Sequence, residues 1–222
     1  MDNHFEMGLE SLRQKLLTMA GYAETNVNQA LQSLLQRDYQ LAVAVKENDR
    51  VIDQLEVEID DLVVQLLTKA PLASNLRLVT VAMKIAQNLE RIGDEASKIA
   101  KRSVELAQEP PLKINVDLAR LAGLSLEMLR ASLDAFVHRD STAARAVIPR
   151  DREVDALNQE IHRLLVQHMV ENPQAIARCL SFMVVSKSLE RIADHATNVA
   201  EDVVYLCEAL DIRHTGAKGP AI

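Results

Sequence analysis

A chain of 222 residues that is 48% apolar but 3% aromatic, with six Gly and six Pro, must fill its interior with Leu, Val, Ile and Ala. It has too little turn chemistry for the tight reversals of an all-β fold. The formal charge of −7 argues against the basic surface that nucleic acid or an anionic membrane rewards. Cys179 and Cys207 form no CxxC pair, which points to a reducing cytoplasm rather than a disulfide framework or a thiolate zinc site. The opening MDNHFEMGLESLRQK has no basic start followed by an apolar run, and no stretch approaches 18 uninterrupted apolar residues. The expectation is a chain neither exported nor membrane-spanning.

Apolar residues recur at helical spacing along most of the chain, and six helices follow. The first runs from about Phe5 to Arg37 with Leu9, Leu12, Leu16, Met19, Ala23, Val27, Ala30 and Leu34 on one stripe. The second begins near Asp38 and stops before Pro71, turning Val45, Ile52, Leu55, Ile59, Leu62 and Leu66 inward. Ser74 is the expected N-cap of the third, which closes before Pro110-Pro111. The fourth covers Ile114 to Arg139, and the fifth Asp140 to Asn172. Asn172-Pro173 then serves as N-cap and N1 of a sixth helix ending near Leu210.

The chain is also internally duplicated. Residues 49–67, DRVIDQLEVEIDDLVVQLL, align without gaps on 151–169, DREVDALNQEIHRLLVQHM, with 9 of 19 identical. NLERIGDEASKIAK at 88–101 returns as SLERIADHATNVAE at 188–201 with 7 of 14 identical, and Arg37-Asp38 returns as Arg139-Asp140. Each unit of about 100 residues holds three helices. The fold class is therefore all-α, two tandem, pseudo-symmetric three-helix bundles, with residues 1–109 as the first unit and 110–222 as the second.

Acidic residues repeat with the helices. Leu89, Ile92, Ala96 and Ile99 make a core-facing stripe, and Glu90 and Asp94 stand one position, about 100°, around the helix beside Ser97 and Lys101. The same shoulder in the second copy reads Glu190, Asp194, Thr197 and Glu201. Along the second helix Asp49, Asp53, Glu56 and Asp60 share a strip, whose counterpart is Asp151, Asp155, Asn158 and His162. Like charges at i and i+4 repel, so each strip is either a solvated acidic face, partly neutralised by Arg91 and Arg191, or a set of hard oxygen ligands for cations. His195, in place of Glu95, is expected to face water, and His162 and His168 to be hydrogen-bonded structural histidines.

The repeated LERIGD (Leu89 to Asp94) and LERIAD (Leu189 to Asp194), with NLRLV at Asn75 to Val79 and DIRHTG near the C-terminus, resemble the PhoU family of phosphate-homeostasis regulators over essentially the whole length. The resemblance implies metal-binding motifs at Asp49 with Asp53, Glu90 with Asp94, Asp151 with Asp155, and Glu190 with Asp194. The implied ions are Fe, Zn, Mn, Mg or Ca. It further implies a cytoplasmic, non-enzymatic homodimer, a negative regulator of the phosphate-starvation response. Such a protein acts as an adaptor between the ATPase subunit of a phosphate ABC transporter and a phosphate-sensing histidine kinase, peripheral to those membrane complexes, with no nucleic-acid partner. The rival class is a di-iron carboxylate oxidase or ferroxidase. It is disfavoured because no Glu is followed by His three positions on, and His195 stands five after Glu190.

Overall fold

The computed structural model describes residues 3–68 and 73–213, and among them there is no strand. Helices α1 (Asn3–Gln36), α2 (Tyr39–Leu67) and α3 (Ala73–Ala107) form the first bundle. Helices α4 (Leu118–His138), α5 (Ser141–Val147), α6 (Asp151–Glu171) and α7 (Ile176–Glu208) form the second. The expected stripes face the core: Leu12, Leu16, Met19, Ala23, Val27 and Ala30 in α1, Val45, Ile52, Ile59 and Leu66 in α2, and Leu89, Ile92, Ala96 and Ile99 in α3 are buried, while Leu9, Leu34, Leu55 and Leu62 pack against them only partly buried.

The repeated Arg-Asp pair marks the joints. Arg37 and Arg139 adopt positive φ (57° and 51°), the left-handed conformation that ends a helix. The N–H groups of Asp38 and Asp140 return to Ser33 O (3.0 Å) and Ala135 O (2.9 Å). The same two aspartates then cap the following helices: Asp38 Oδ1 accepts from the N–H of Gln40 at 2.8 Å and Asp140 Oδ1 from that of Thr142 at 2.9 Å.

Several expected boundaries are corrected. The fifth helix is two, because Pro149 has no N–H to donate and its ring crowds the preceding turn. A 3₁₀ turn at Ile148–Arg150 separates α5 from α6. The fourth helix starts at Leu118 rather than Ile114, where Asp117 accepts from the N–H of Arg120 at 3.0 Å. Ser74 lies inside the first turn of α3, and the cap position before it lies outside the described residues. Pro173 opens a 3₁₀ turn leading into α7 as its ring predicts, but the Asn172 side chain donates back to His168 O at 3.2 Å and caps nothing.

The two bundles are joined by α3 and α7, which cross antiparallel. Lys84 meets Asp202, Asn88 meets Asn198, and Glu95 meets Ser188 and Arg191, so one number rises as the other falls. Because residue i of α3 matches i+100 of α7, this is a pseudo-two-fold contact: Glu95 faces Ser188, and His195 faces Asn88. Buried apolar residues of both bundles form one continuous core.

Candidate functional site

In the first bundle α2 and α3 present their acids to each other. Gly93 sets the spacing, because a Cβ there would lie 2.8 Å from Asp49 Oδ1 and 3.0 Å from Ile52 Cδ1. The absent side chain lets the Asp49 carboxylate lie against the α3 backbone, where Ser97 Oγ donates to its Oδ2 at 2.7 Å. Burial raises the Asp49 carboxyl above the usual carboxylate range; the Ser97 bond partly offsets this, and Asp53 and Asp94 add to the rise. Glu90 is raised by burial and then by Asp94, with Glu56 and Asp53 contributing. Glu56 is raised by burial, then by Asp60 and Asp53. One ridge thus gathers Asp49, Asp53, Glu56, Asp60, Glu90 and Asp94 into a single repelling field. Arg91 leans on it from outside, 3.4 Å from Glu90 and 3.9 Å from Asp94.

The second ridge, between α6 and α7, holds Asp151, Asp155, Glu190 and Asp194. Burial lifts Asp194 to about 6, with Glu190 and Asp151 adding repulsion and Lys187 opposing it. Asp151 is raised by burial and then by Asp155 and Glu190. Where the first ridge has Glu56, the second has Asn158, whose carboxamide oxygen accepts a short bond from Ser186. Three atoms here are buried with no hydrogen-bond partner: Asp151 Oδ1, Glu190 Oε2 and Thr197 Oγ1. Buried oxygens without donors cost about 1–3 kcal/mol each, more when charged, so the donor set is suited to an oxygen-preferring cation.

Both predicted carboxylate sets are therefore brought together across helix pairs, Asp49 and Asp53 with Glu90 and Asp94, and Asp151 and Asp155 with Glu190 and Asp194. Among the described residues no three His, Cys, Asp or Glu side chains stand in metal-holding geometry. The residues fit a hard cation in the chemistry of their oxygen donors, and their side chains would have to rotate to close a shell around one.

His195 does not face water. It is half-buried on the α3–α7 contact, where its Nδ1 lies 3.0 Å from Asn88 Oδ1. Burial holds its imidazole below the usual range against the pull of Glu95, and Arg91, Arg191 and Lys98 lower it further. His162 Nε2 is buried without a partner, contrary to the expected hydrogen bond, while His168 Nδ1 lies 3.4 Å from Asn172 Nδ2.

Sequence reasoning missed the interface itself. Glu95 is 4% exposed; burial would raise it, but donors from Lys98 (2.9 Å) and Ser188 (2.7 Å) prevail and hold it low. Arg191 reaches the same carboxylate at 3.3 Å, whereas Arg91, facing His195, turns back to its own ridge. Asp202, 5% exposed, is raised by burial despite its 3.1 Å ion pair with Lys84. The members of this surface on α3, Lys84, Asn88 and Glu95, read in the sequence as ordinary polar positions of an outward face, so residue spacing carried no signal for it.

The comparisons agree with this fold. The PhoU domain description matches residues 16–103 and 118–203. The chain is 40% identical over 98% of its length to a Pseudomonas putida protein named phosphate-specific transport system accessory protein PhoU homolog, covering 86% of that protein. It is 34% identical over 97% of its length to the Escherichia coli accessory protein PhoU, covering 90% of it. The crystal structure of PhoU from Pseudomonas aeruginosa superposes with a TM-score of 0.90 at 40% identity, covering 93% of this chain and all of that one (100%). The PhoU regulatory protein from Streptococcus pneumoniae gives a TM-score of 0.87 at 26% identity, over 94% and 99% of the two chains.

Proposed function

The chain belongs to the PhoU family, and from that premise we propose that it is an accessory of a phosphate-specific transport system that represses the phosphate-starvation response when phosphate is plentiful. The carrying observation is the match of both units to relatives of that name along 97–98% of the chain. In this reading it works in the cytoplasm as a homodimeric adaptor between the transporter's ATPase subunit and a phosphate-sensing histidine kinase, and it catalyses no reaction. None of the described helices is long and apolar enough to cross a membrane.

Metal ions belong to the proposal as structural ties. A bound cation supplies positive charge shared by facing carboxylates. Asp49, Asp53, Glu90 and Asp94 would hold it across α2 and α3, and Asp151, Asp155, Glu190 and Asp194 across α6 and α7. The residues would thereby fix each helix pair and keep a constant docking face. Deleting the gene should make phosphate-starvation genes constitutive in phosphate-rich medium; normal repression in the deletion would overturn the regulatory reading. Separately, chelation should weaken partner pull-down. Unchanged partner capture and unchanged circular dichroism after chelation would sink the metal tie.

A further inference from the structure

The duplicated ridges carry different internal cations. On the second, Lys187 Nζ bonds Glu190 Oε1 at 2.5 Å and also opposes the charge of Asp194. The matching position of the first unit is Gln87, which brings no charge. The first ridge instead meets Arg91 at 3.4 and 3.9 Å, contacts too long for hydrogen bonds, from a side chain 55% exposed. Its twin Arg191 is drawn off the second ridge to Glu95, whose counterpart in the second unit, the residue that Arg91 faces, is His195. An ammonium is a compact point charge with three donors, able to sit among carboxylates where an ion would sit, whereas a planar guanidinium lies against them.

Glu190 gives the second observation. It is 7% exposed, one oxygen is taken by Lys187, and the other is buried without a donor, as are Oδ1 of Asp151, whose charge it repels, and Oγ1 of Thr197, two turns further along α7. In the first unit the equivalent hydroxyl, Ser97, is already engaged with Asp49. The second ridge thus has one carboxylate oxygen held by its own lysine, a side chain 45% exposed, and two carboxylate oxygens buried without a donor. We propose, resting on the cation-binding reading above, that Lys187 is a tethered occupant of the second ridge that an incoming divalent cation must displace from Glu190. The two ridges are consequently unequal sites, and the first, richer in acids and without an ammonium, fills first.

The test is a calorimetric titration of the full chain with Mn²⁺, with bound metal counted by elemental analysis. Two backgrounds isolate the ridges: Glu90→Gln/Asp94→Asn disables the first, and Glu190→Gln/Asp194→Asn the second. With the first disabled, Lys187→Gln should raise Mn²⁺ affinity about tenfold. With the second disabled, Gln87→Lys should lower it by a similar factor. Lys98→Gln removes an equal charge from a lysine bonded to Glu95, outside both ridges, and should change neither affinity by more than about twofold. Lys187→Gln without effect, or Lys98→Gln as effective as Lys187→Gln, overturns the displacement while leaving cation binding in place. Absence of Mn²⁺ uptake by the wild type and by Lys187→Gln overturns the metal reading and this inference with it. Gln87, Lys98 and Lys187 are exposed, Glu90, Asp94 and Asp194 part-buried and Glu190 buried, so unchanged thermal melts are required to show that the variants fold.

Discussion

The two bundles are copies in backbone and differ in how their side chains are partnered. Position 95 is a buried glutamate with three donors, while position 195 is an imidazole against a carboxamide. Position 93 is a glycine under a carboxylate, while position 193 is a fully buried alanine. Position 149 is a proline that splits a helix, while its counterpart Glu47 lies in the unbroken α2. The difference teaches that core packing holds a duplicated fold through divergence, and that charges near the contact of the two copies are free to specialise. Arg191 lies on Glu95, whereas Arg91, which meets His195 at the matching position, lies on its own ridge.

The comparison breaks most sharply at the core, if the copies are not equivalent there. Leu89→Ala and Leu189→Ala, both at fully buried positions, should each cost about 3 kcal/mol in urea unfolding, and by similar amounts. A gap of more than about 1.5 kcal/mol would mean that one bundle carries the stability. Next comes the interface. Glu95→Ala strands Ser188 and Arg191 and should cost about 2 kcal/mol, after allowance for the half-exposed Lys98 and Arg191. His195→Ala should cost less than about 1 kcal/mol, since it loses a single neutral contact.

The pH dependence sharpens the comparison of the ridges. Asp194 binds its proton more tightly folded, at about 6, than unfolded, at 3.8. The folded state therefore holds more protons in that window, and stability falls as pH rises through it. In chelator-treated protein, stability should be greater at pH 5 than at pH 7, and Asp194→Asn should flatten the profile and gain about 1 kcal/mol at pH 7, a figure discounted for solvent screening. A profile unchanged by Asp194→Asn would show the proton to be held elsewhere.

Smaller effects follow at the backbone. Gly93→Ala gains helix propensity but crowds Asp49 and Ile52, so stability should stay within about 1 kcal/mol while Mn²⁺ affinity at the first ridge falls. Arg139→Gly relieves a left-handed arginine and should stabilise by about 0.5–1 kcal/mol in thermal melts. Arg37→Gly should gain less, because the Arg37 guanidinium also binds the carbonyls of Leu106 and Ala107 at 2.7 and 2.8 Å.

Read alone, the sequence determined the helices, their inward stripes, the duplication and the pairing of acids on matching shoulders, because these are local consequences of a 3.6-residue period and of repeated text. Pro149 was legible and overlooked; the caps at Asp117 and the true role of Asn172 depend on one or two dihedral angles that periodicity does not carry. Only the tertiary structure decided that α3 and α7 cross antiparallel, burying Glu95 and half-burying His195 between the bundles. It also decided that Arg191 leaves its ridge while Lys187 stays. Those outcomes turn on which side chains from distant parts of the chain meet once water is excluded, and residue spacing along one helix contains no term for the helix that packs against it.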